Sequence, residues 1–231
     1  RSLIRGLAHE VKNPLGGIRG AAQLLERALP EAELREYTNV IISEADRLRD
    51  LVDRMLGPWQ PMQFAPVNLI EVIERVIHLL KGEFHSDLQW QRDYDPSLPP
   101  VQGGKDQLIQ AILNIARNAC QALQQTKRAR VVFKTRVVRQ FTIGSVRHRQ
   151  IMHLSITDNG PGIPEDLIDR IFFPMISGRN EGSGLGLSIS QNIVGQHGGT
   201  LQVGSRPGNT EFSVYLPFSG PNQPSEAKEL I

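Results

Sequence analysis

Residues 6–17 read GLAHEVKNPLGG, and the reading of this stretch decides the first half of the fold. A proline inside a helix removes a backbone hydrogen bond and crowds the carbonyl four residues earlier, at a cost of about 3 kcal/mol or more. Around Pro14, however, the apolar residues Leu3, Leu7, Val11, Leu15, Ile18, Ala22, Leu25 and Leu29 keep the spacing of one helix face up to Pro30. A second run with the same period, Leu34, Tyr37, Ile41, Ala45, Leu48, Val52 and Met55, ends at Gly57-Pro58. Two long helices with a short connection predict an antiparallel hairpin over residues 1–56. A lone hairpin buries only one stripe per helix, so a homodimer forming a four-helix bundle is expected. The chain begins with Arg1 and enters this pattern at once, which reads as a fragment lacking an upstream part.

Outward from the hairpin, residues 57–66 (GPWQPMQFAP) read as a connector that resists both helix and strand. A second domain is predicted over 67–218, with helices at 67–84, 106–123 and 185–196. Strands are predicted at 88–94, 131–138, 151–157, 200–203 and 210–216, the middle pair joined by a polar, basic connection and the last pair by a Pro-Gly turn. Helices and strands do not alternate strictly, which favours an α+β layer sandwich over a doubly wound sheet. The tail, 219–231, is predicted disordered.

The 231 residues carry 26 basic and 24 acidic side chains, and no stripe of like charge argues for nucleic acid. No run approaches a membrane span, and the N-terminus of this portion lacks a signal-peptide pattern. The single cysteine, Cys120, reads as a core residue in a reducing compartment, so a cytoplasmic location is expected.

Several motifs carry chemistry. His9 lies off the apolar stripe, and Glu10 beside it is able to accept an imidazole proton, leaving the other ring nitrogen as nucleophile. A zinc motif fails because position 13 is Asn; one turn on from His9, Asn13 is placed to orient a water. Asn114 and Asn118 share a helix face, as polar surface or as hard oxygen ligands for Mg²⁺. Asp158, followed by Gly160 and Gly162, makes either a simple turn or a place where a ligand nears the backbone beside a carboxylate that accepts from an exocyclic amine. Gly182-Ser183-Gly184-Leu185-Gly186 opens a helix without the strand that a dinucleotide fingerprint demands, and so reads as a phosphate loop at a helix N-terminus. Between them, Phe172-Phe173-Pro174-Met175 reads as a mobile lid or as packed core, with Arg179 placed to reach a phosphate.

Taken in order, HEVKNP, NIARN, DNGPGIP, FFPM and GSGLGL resemble the H, N, G1, F and G2 boxes of sensor histidine kinases, and NTEF at 209–212 is similar to their last adenine-side motif. The resemblance covers residues 1–218. LAHEVKNPLGGIRGAAQLL, FPMISGR and TEFSVYLP are similar more narrowly to the nitrogen-regulatory, NtrB-type branch, whose partner is an NtrC-like response regulator. The resemblance implies a dimerisation and phosphotransfer hairpin followed by a Bergerat-type ATP-binding domain. It matches His9 to the phosphoacceptor, Glu10 to its acid/base and Asn13 to the amide that orients water during dephosphorylation of the partner. It likewise matches Asn118 to the Mg²⁺ ligand, Asn114 to phosphate support, Asp158 and Thr210 to adenine, and Gly182, Gly184 and Gly186 to the phosphate loop. In NtrB-type proteins a PII signalling protein shifts kinase toward phosphatase.

Two departures stand out. Gln121 occupies a position that is Lys in many relatives, leaving charge compensation to Mg²⁺ and Arg179, while Ser183 replaces a frequent Thr and keeps the hydroxyl. The alternative classes are an ATP-driven clamp and a catalytically silent scaffold. Clamps of the same nucleotide fold use a Glu where this chain has Asn114, and a scaffold would not retain every box residue.

Overall fold

A computed structural model describes residues 2–29, 31–56, 63–84, 87–176 and 184–220, and the side chains of these residues other than 2–12, 32–33 and 49–56. The chain divides into two compact units, the helical hairpin and the part that follows residue 60.

In the hairpin, α1 (Ser2–Ala28) is one helical run across Pro14 and pairs with α2 (Ala32–Leu56). Small side chains form the seam: Ala22, Ala45 and Thr38 are buried along with Leu15. Arg19 Nε donates to Asp46 Oδ1 at 2.8 Å, fixing one helix against the other.

The second unit runs β1 (Ala65–Val67), α3 (Leu69–Glu83), β2 (Gln89–Asp93), β3 (Val101–Gly103), α4 (Lys105–Ala122), β4 (Arg130–Ile143), β5 (Val146–Asp158), α5 (Glu165–Ile168), α6 (Gly186–Gln196), β6 (Thr200–Arg206) and β7 (Asn209–Pro217). The main sheet has the order β2-β4-β5-β7-β6, with β2 parallel to β4 and every other pair antiparallel. Alternation puts Phe133, Met152, Leu154, Ile156, Phe212 and Val214 on one face, where they join the apolar faces of α3 and α4 in a single core. Asn68 starts α3 by accepting from the Ile70 N–H at 3.0 Å, and Leu69, Val72, Ile73, Val76, Ile77 and Leu80 repeat every three to four residues on its buried side. Cys120 is buried, and desolvation pushes its thiol up to about 12, which leaves it an inert core residue.

The mixed α+β sandwich is therefore the fold, with three local corrections. Ala65 and Pro66, assigned to the connector, begin a short strand that pairs with β3; Pro66 is tolerated because the two-stranded sheet leaves it an open edge. The polar connection between β4 and β5 is strand almost throughout, turning at Gly144-Ser145, because charged residues are no obstacle where a ribbon faces water on both sides. The tiny elements β3 and α5 carry too few residues to show a period.

Candidate functional site

α4 runs along the second unit and gathers the motifs. Its middle carries Asn114 and Asn118, both half-buried one turn apart, and Asn114 Nδ2 donates to the Gly186 carbonyl at 3.2 Å. That carbonyl belongs to the first residue of α6, so the asparagine of one motif is bonded to the glycine loop of another. The α6 N-terminus has no side-chain cap, and Leu185, its N-cap, is buried. Its first N–H groups are thus the positive end of a helix dipole available to an anion.

Gly184, just before it, sits at φ +64°, and a Cβ there would lie 2.6 Å from the Met175 carbonyl carbon. The Met175 N–H donates to the Gly184 carbonyl at 3.1 Å, so the aromatic-proline segment is stitched to the glycine loop. Within that segment the two sequence readings divide: Ile171 and Phe172 pack on the core, whereas Phe173 and Met175 stand 59% and 62% exposed.

The other end of α4 meets the Asp158 turn. Asp158 closes β5, is 3% exposed, and lies directly opposite Thr210 of β7, itself buried. Asp158 Oδ1 accepts from the Gly160 N–H at 2.9 Å, and a Cβ on Gly160 would come within 2.7 Å of that same oxygen. Only glycine lets the chain turn so tightly against the carboxylate. Gly162, at φ +90°, carries the turn past the Arg206-Pro207 backbone, and the Gly208 N–H donates to the Gly160 carbonyl at 2.8 Å.

Four supporting residues were not singled out in the sequence. Asn159 clamps the turn to the start of β4, accepting from the Arg130 N–H at 2.8 Å and donating to the Arg128 carbonyl at 3.1 Å. Ser205 Oγ accepts from the Ile163 N–H and contacts Thr210 Oγ1, each at 2.8 Å. Ser190 Oγ ties α6 to the Ala111 carbonyl of α4 at 3.0 Å. His197 ends α6, its Nε2 accepting from the Gly104 N–H at 3.0 Å. An Asn after Asp in a turn is a local signal; the other three depend on which elements become neighbours.

The structure brings together Asn114, Asn118, Asp158, Gly160, Gly162, Gly184, Leu185, Gly186 and Thr210 around one helix. Arg179, Gly182 and Ser183 lie outside the described residues, as do most of the connector and the tail beyond 220. In the other unit, His9, Glu10 and Asn13 fall in α1, where Asn13 is exposed; the side chains of His9 and Glu10 are not described. Among the described residues no cluster of His, Cys, Asp and Glu forms a metal cage, and no helix is long and apolar enough to cross a membrane.

Two family models divide the chain between them. Residues 1–57 match the His Kinase A (phospho-acceptor) domain, and residues 103–220 match the histidine kinase-, DNA gyrase B- and HSP90-like ATPase domain. The sensory histidine kinase/phosphatase NtrB of Vibrio alginolyticus is 52% identical over 216 residues, covering 94% of this chain and 62% of that protein. The chain belongs to the histidine kinase-, DNA gyrase B- and HSP90-like ATPase family. NtrB of Escherichia coli O157:H7 is likewise 52% identical over 94% of this chain, and NtrB of Rhizobium meliloti (strain 1021) is 39% identical over 92%. The chain spans 62% of the length of the first of these relatives. Full-length ShkA, solved in complex with AMPPNP, superposes with a TM-score of 0.62 at 26% identity, covering 96% of this chain and 47% of ShkA. Histidine kinase ThkA, solved in complex with the response regulator protein TrrA, shares the fold at a TM-score of 0.59 and 24% identity, over 96% of this chain and 63% of ThkA.

Proposed function

We propose that the chain is the phosphotransfer and ATP-binding part of an NtrB-type kinase that phosphorylates His9 from ATP and passes the phosphoryl group to an aspartate of an NtrC-like response regulator in nitrogen regulation. One observation carries the reading: α4 touches the phosphate-type loop through Asn114 and the Asp158 turn through Ala122, whose Cβ stands 3.4 Å from where a Gly160 Cβ would be. Eight residues of helix separate those points, about 12 Å at 1.5 Å per residue. A nucleotide laid along that line has its adenine at the Asp158 carboxylate and its phosphates at the α6 N-terminus, with Asn118 between.

Asp158 and the Thr210–Ser205 hydroxyl pair would read the adenine amine and ring edge; Asn114 and the loop N–H groups would hold the phosphates. Asn118, one neutral oxygen with no carboxylate cage among the described residues, suits Mg²⁺, which keeps waters and leans on phosphate oxygens. Bound there, the ion supplies charge neutralisation for the triphosphate, in which Arg179 joins. In the phosphoryl step one ring nitrogen of His9 forms the new P–N bond as the bond between the terminal phosphorus and the bridging oxygen of ADP breaks, and Glu10 takes the proton from the other nitrogen. Transfer to the regulator exchanges that P–N bond for an acyl phosphate. Asn13, one turn from His9, would orient the water that hydrolyses it, giving phosphatase activity.

The exposed apolar side chains of the hairpin support a homodimer, and the proposed setting is the cytoplasm, with a PII protein as regulator. Incubation with Mg-ATP should give an acid-labile, alkali-stable phosphoryl group that His9→Asn lacks. Label on Ser or Thr, or label surviving that substitution, would reject the reading.

A further inference from the structure

His197 is 1% exposed, and both ring nitrogens are spoken for. Nδ1 stands 2.8 Å from the Ile193 carbonyl, which only accepts, so Nδ1 carries the proton. Nε2 is then the acceptor, and it takes the Gly104 N–H at 3.0 Å. The two contacts select one neutral tautomer.

Gly104 is the N-cap of α4 and has no side chain with which to cap it. In a capping box, a side chain one turn into the helix reaches back to the N-cap N–H. Here the reaching group comes from a different helix, so the bond that finishes α4 also fixes where α6 lies along it. Gly103 is required for the approach: a Cβ there would fall 2.7 Å from His197 Cδ2.

Two more cross-links follow in order along the same pair of helices. Ser190 Oγ donates to the Ala111 carbonyl at 3.0 Å, and Asn114 Nδ2 donates to the Gly186 carbonyl at 3.2 Å. As residue numbers rise on α4 they fall on α6, so the helices are antiparallel and pinned at three rungs. His197 is the rung at one end, and the glycine-loop contact is the rung at the other, about 16 Å away by helical rise.

We infer that His197 is a positioning residue for the nucleotide site: by locking the sliding register of α6 against α4 it sets where the Gly186 loop meets Asn114. The inference rests on the proposed nucleotide reading of that loop. The Phe64 ring packs on the imidazole at 5.5 Å between centroids, tilted 55°, and Phe64 leads directly from the connector into β1. The lock is therefore touched by the connector residue that immediately precedes β1.

His197→Leu keeps apolar bulk and removes both bonds, whereas His197→Gln keeps an acceptor within reach of Gly104. Measured on the full chain, His197→Leu should raise the KM for ATP in autophosphorylation by about tenfold, the scale of one lost buried hydrogen bond, with a smaller change in kcat. His197→Gln should restore most of it. Amide exchange at residues 186–190, read without nucleotide, should accelerate in the Leu variant and not in the Gln variant. Ile77→Ala, a core deletion in α3, serves as the control for general softening. Unchanged KM and exchange in His197→Leu, or equal changes in Ile77→Ala, would overturn the inference. Should the Leu variant fail to fold, Ser190→Ala removes the middle rung, and wild-type KM and exchange there would overturn it as well. If the wild-type chain forms no phosphohistidine, the functional reading falls, while the exchange arm still decides whether His197 holds the register.

Discussion

The two units bury their apolar residues on opposite terms. In the α+β unit, Phe133, Leu69, Ile73, Met152 and Ile156 are fully buried, and the large hydrophobics left exposed among its described residues are few. In the hairpin the buried described side chains are small, apart from Leu15, while Ile18, Leu24, Tyr37 and Val40 stand 50%, 69%, 68% and 59% exposed. Two helices of this length have only one seam between them, and here the seam is filled by Ala22, Thr38 and Ala45. The bulky residues that give the hairpin its helical period point elsewhere, toward surface that one chain cannot cover. The difference separates a unit whose stability is its own from one whose stability is proposed to depend on a second copy.

The sharpest break of that contrast is a core deletion. Phe133→Ala should cost the α+β unit about 3–5 kcal/mol, roughly a fifth or more of the stability of an ordinary domain. In a calorimetric scan one transition should fall steeply and the hairpin transition should stay in place; a common shift of both would mean that the units melt together. Next in size, Ile41→Asp places a charge on the exposed stripe and should weaken the dimer by roughly 2 kcal/mol per buried position lost, counted on each protomer. Sedimentation should show a shift toward monomer, with the α+β transition unmoved. A wild-type hairpin whose melting is independent of concentration would assign its apolar stripe to some other cover.

Much of this was legible in local sequence. The period of three to four residues located α1 through α4, because each has one face that must be buried. The turn at Asp158 and the loop at Gly184-Gly186 were legible for a different reason: backbone at close quarters needs glycine, and a carboxylate or helix N-terminus beside it is a chemical signature. What escaped has no local period. β1 and β3 are three residues each, one containing proline, and they exist because residues 65–67 happen to meet 101–103. The length of the β4–β5 ribbon was hidden by Arg139, Arg147 and Arg149, which look like a loop until the paired backbone is seen. Ser190, Ser205 and His197 are ordinary polar residues in sequence and become specific only when α6 lies on α4 and β6 on β7.

The same contrast has a pH signature. Burial holds His153 and His197 below the usual imidazole range; His153 stacks on Tyr215 and faces Ser213, and His197 is sealed between α4 and α6. A depressed pKa means that the unfolded chain binds more protons than the folded one as acid is added. The associated stability is fully present above the unfolded value of about 6.5 and drains away as pH falls through the folded values. The urea midpoint of the α+β unit should accordingly drop between pH 7.5 and 5.5, and His197→Gln should blunt the drop. An unchanged midpoint would mean that neither imidazole is kept neutral by its surroundings.

The smallest expected effect has the opposite sign and tests the comparison most finely. Gly20 lies inside α1, where a glycine costs about 0.5–1 kcal/mol relative to alanine through lost chain entropy. A Cβ at Gly20 meets nothing within 4 Å in the single chain, whereas one at Gly103 in the α+β unit strikes the His197 ring. Gly20→Ala should therefore raise the hairpin transition by that amount, while Gly103→Ala lowers the other. If the second copy instead packs closely over Gly20, the methyl will collide with it, and Gly20→Ala will lower the hairpin transition and weaken the dimer. The sign of this one substitution thus reports whether the glycine is solvent-facing slack in α1 or part of the surface that a partner helix covers.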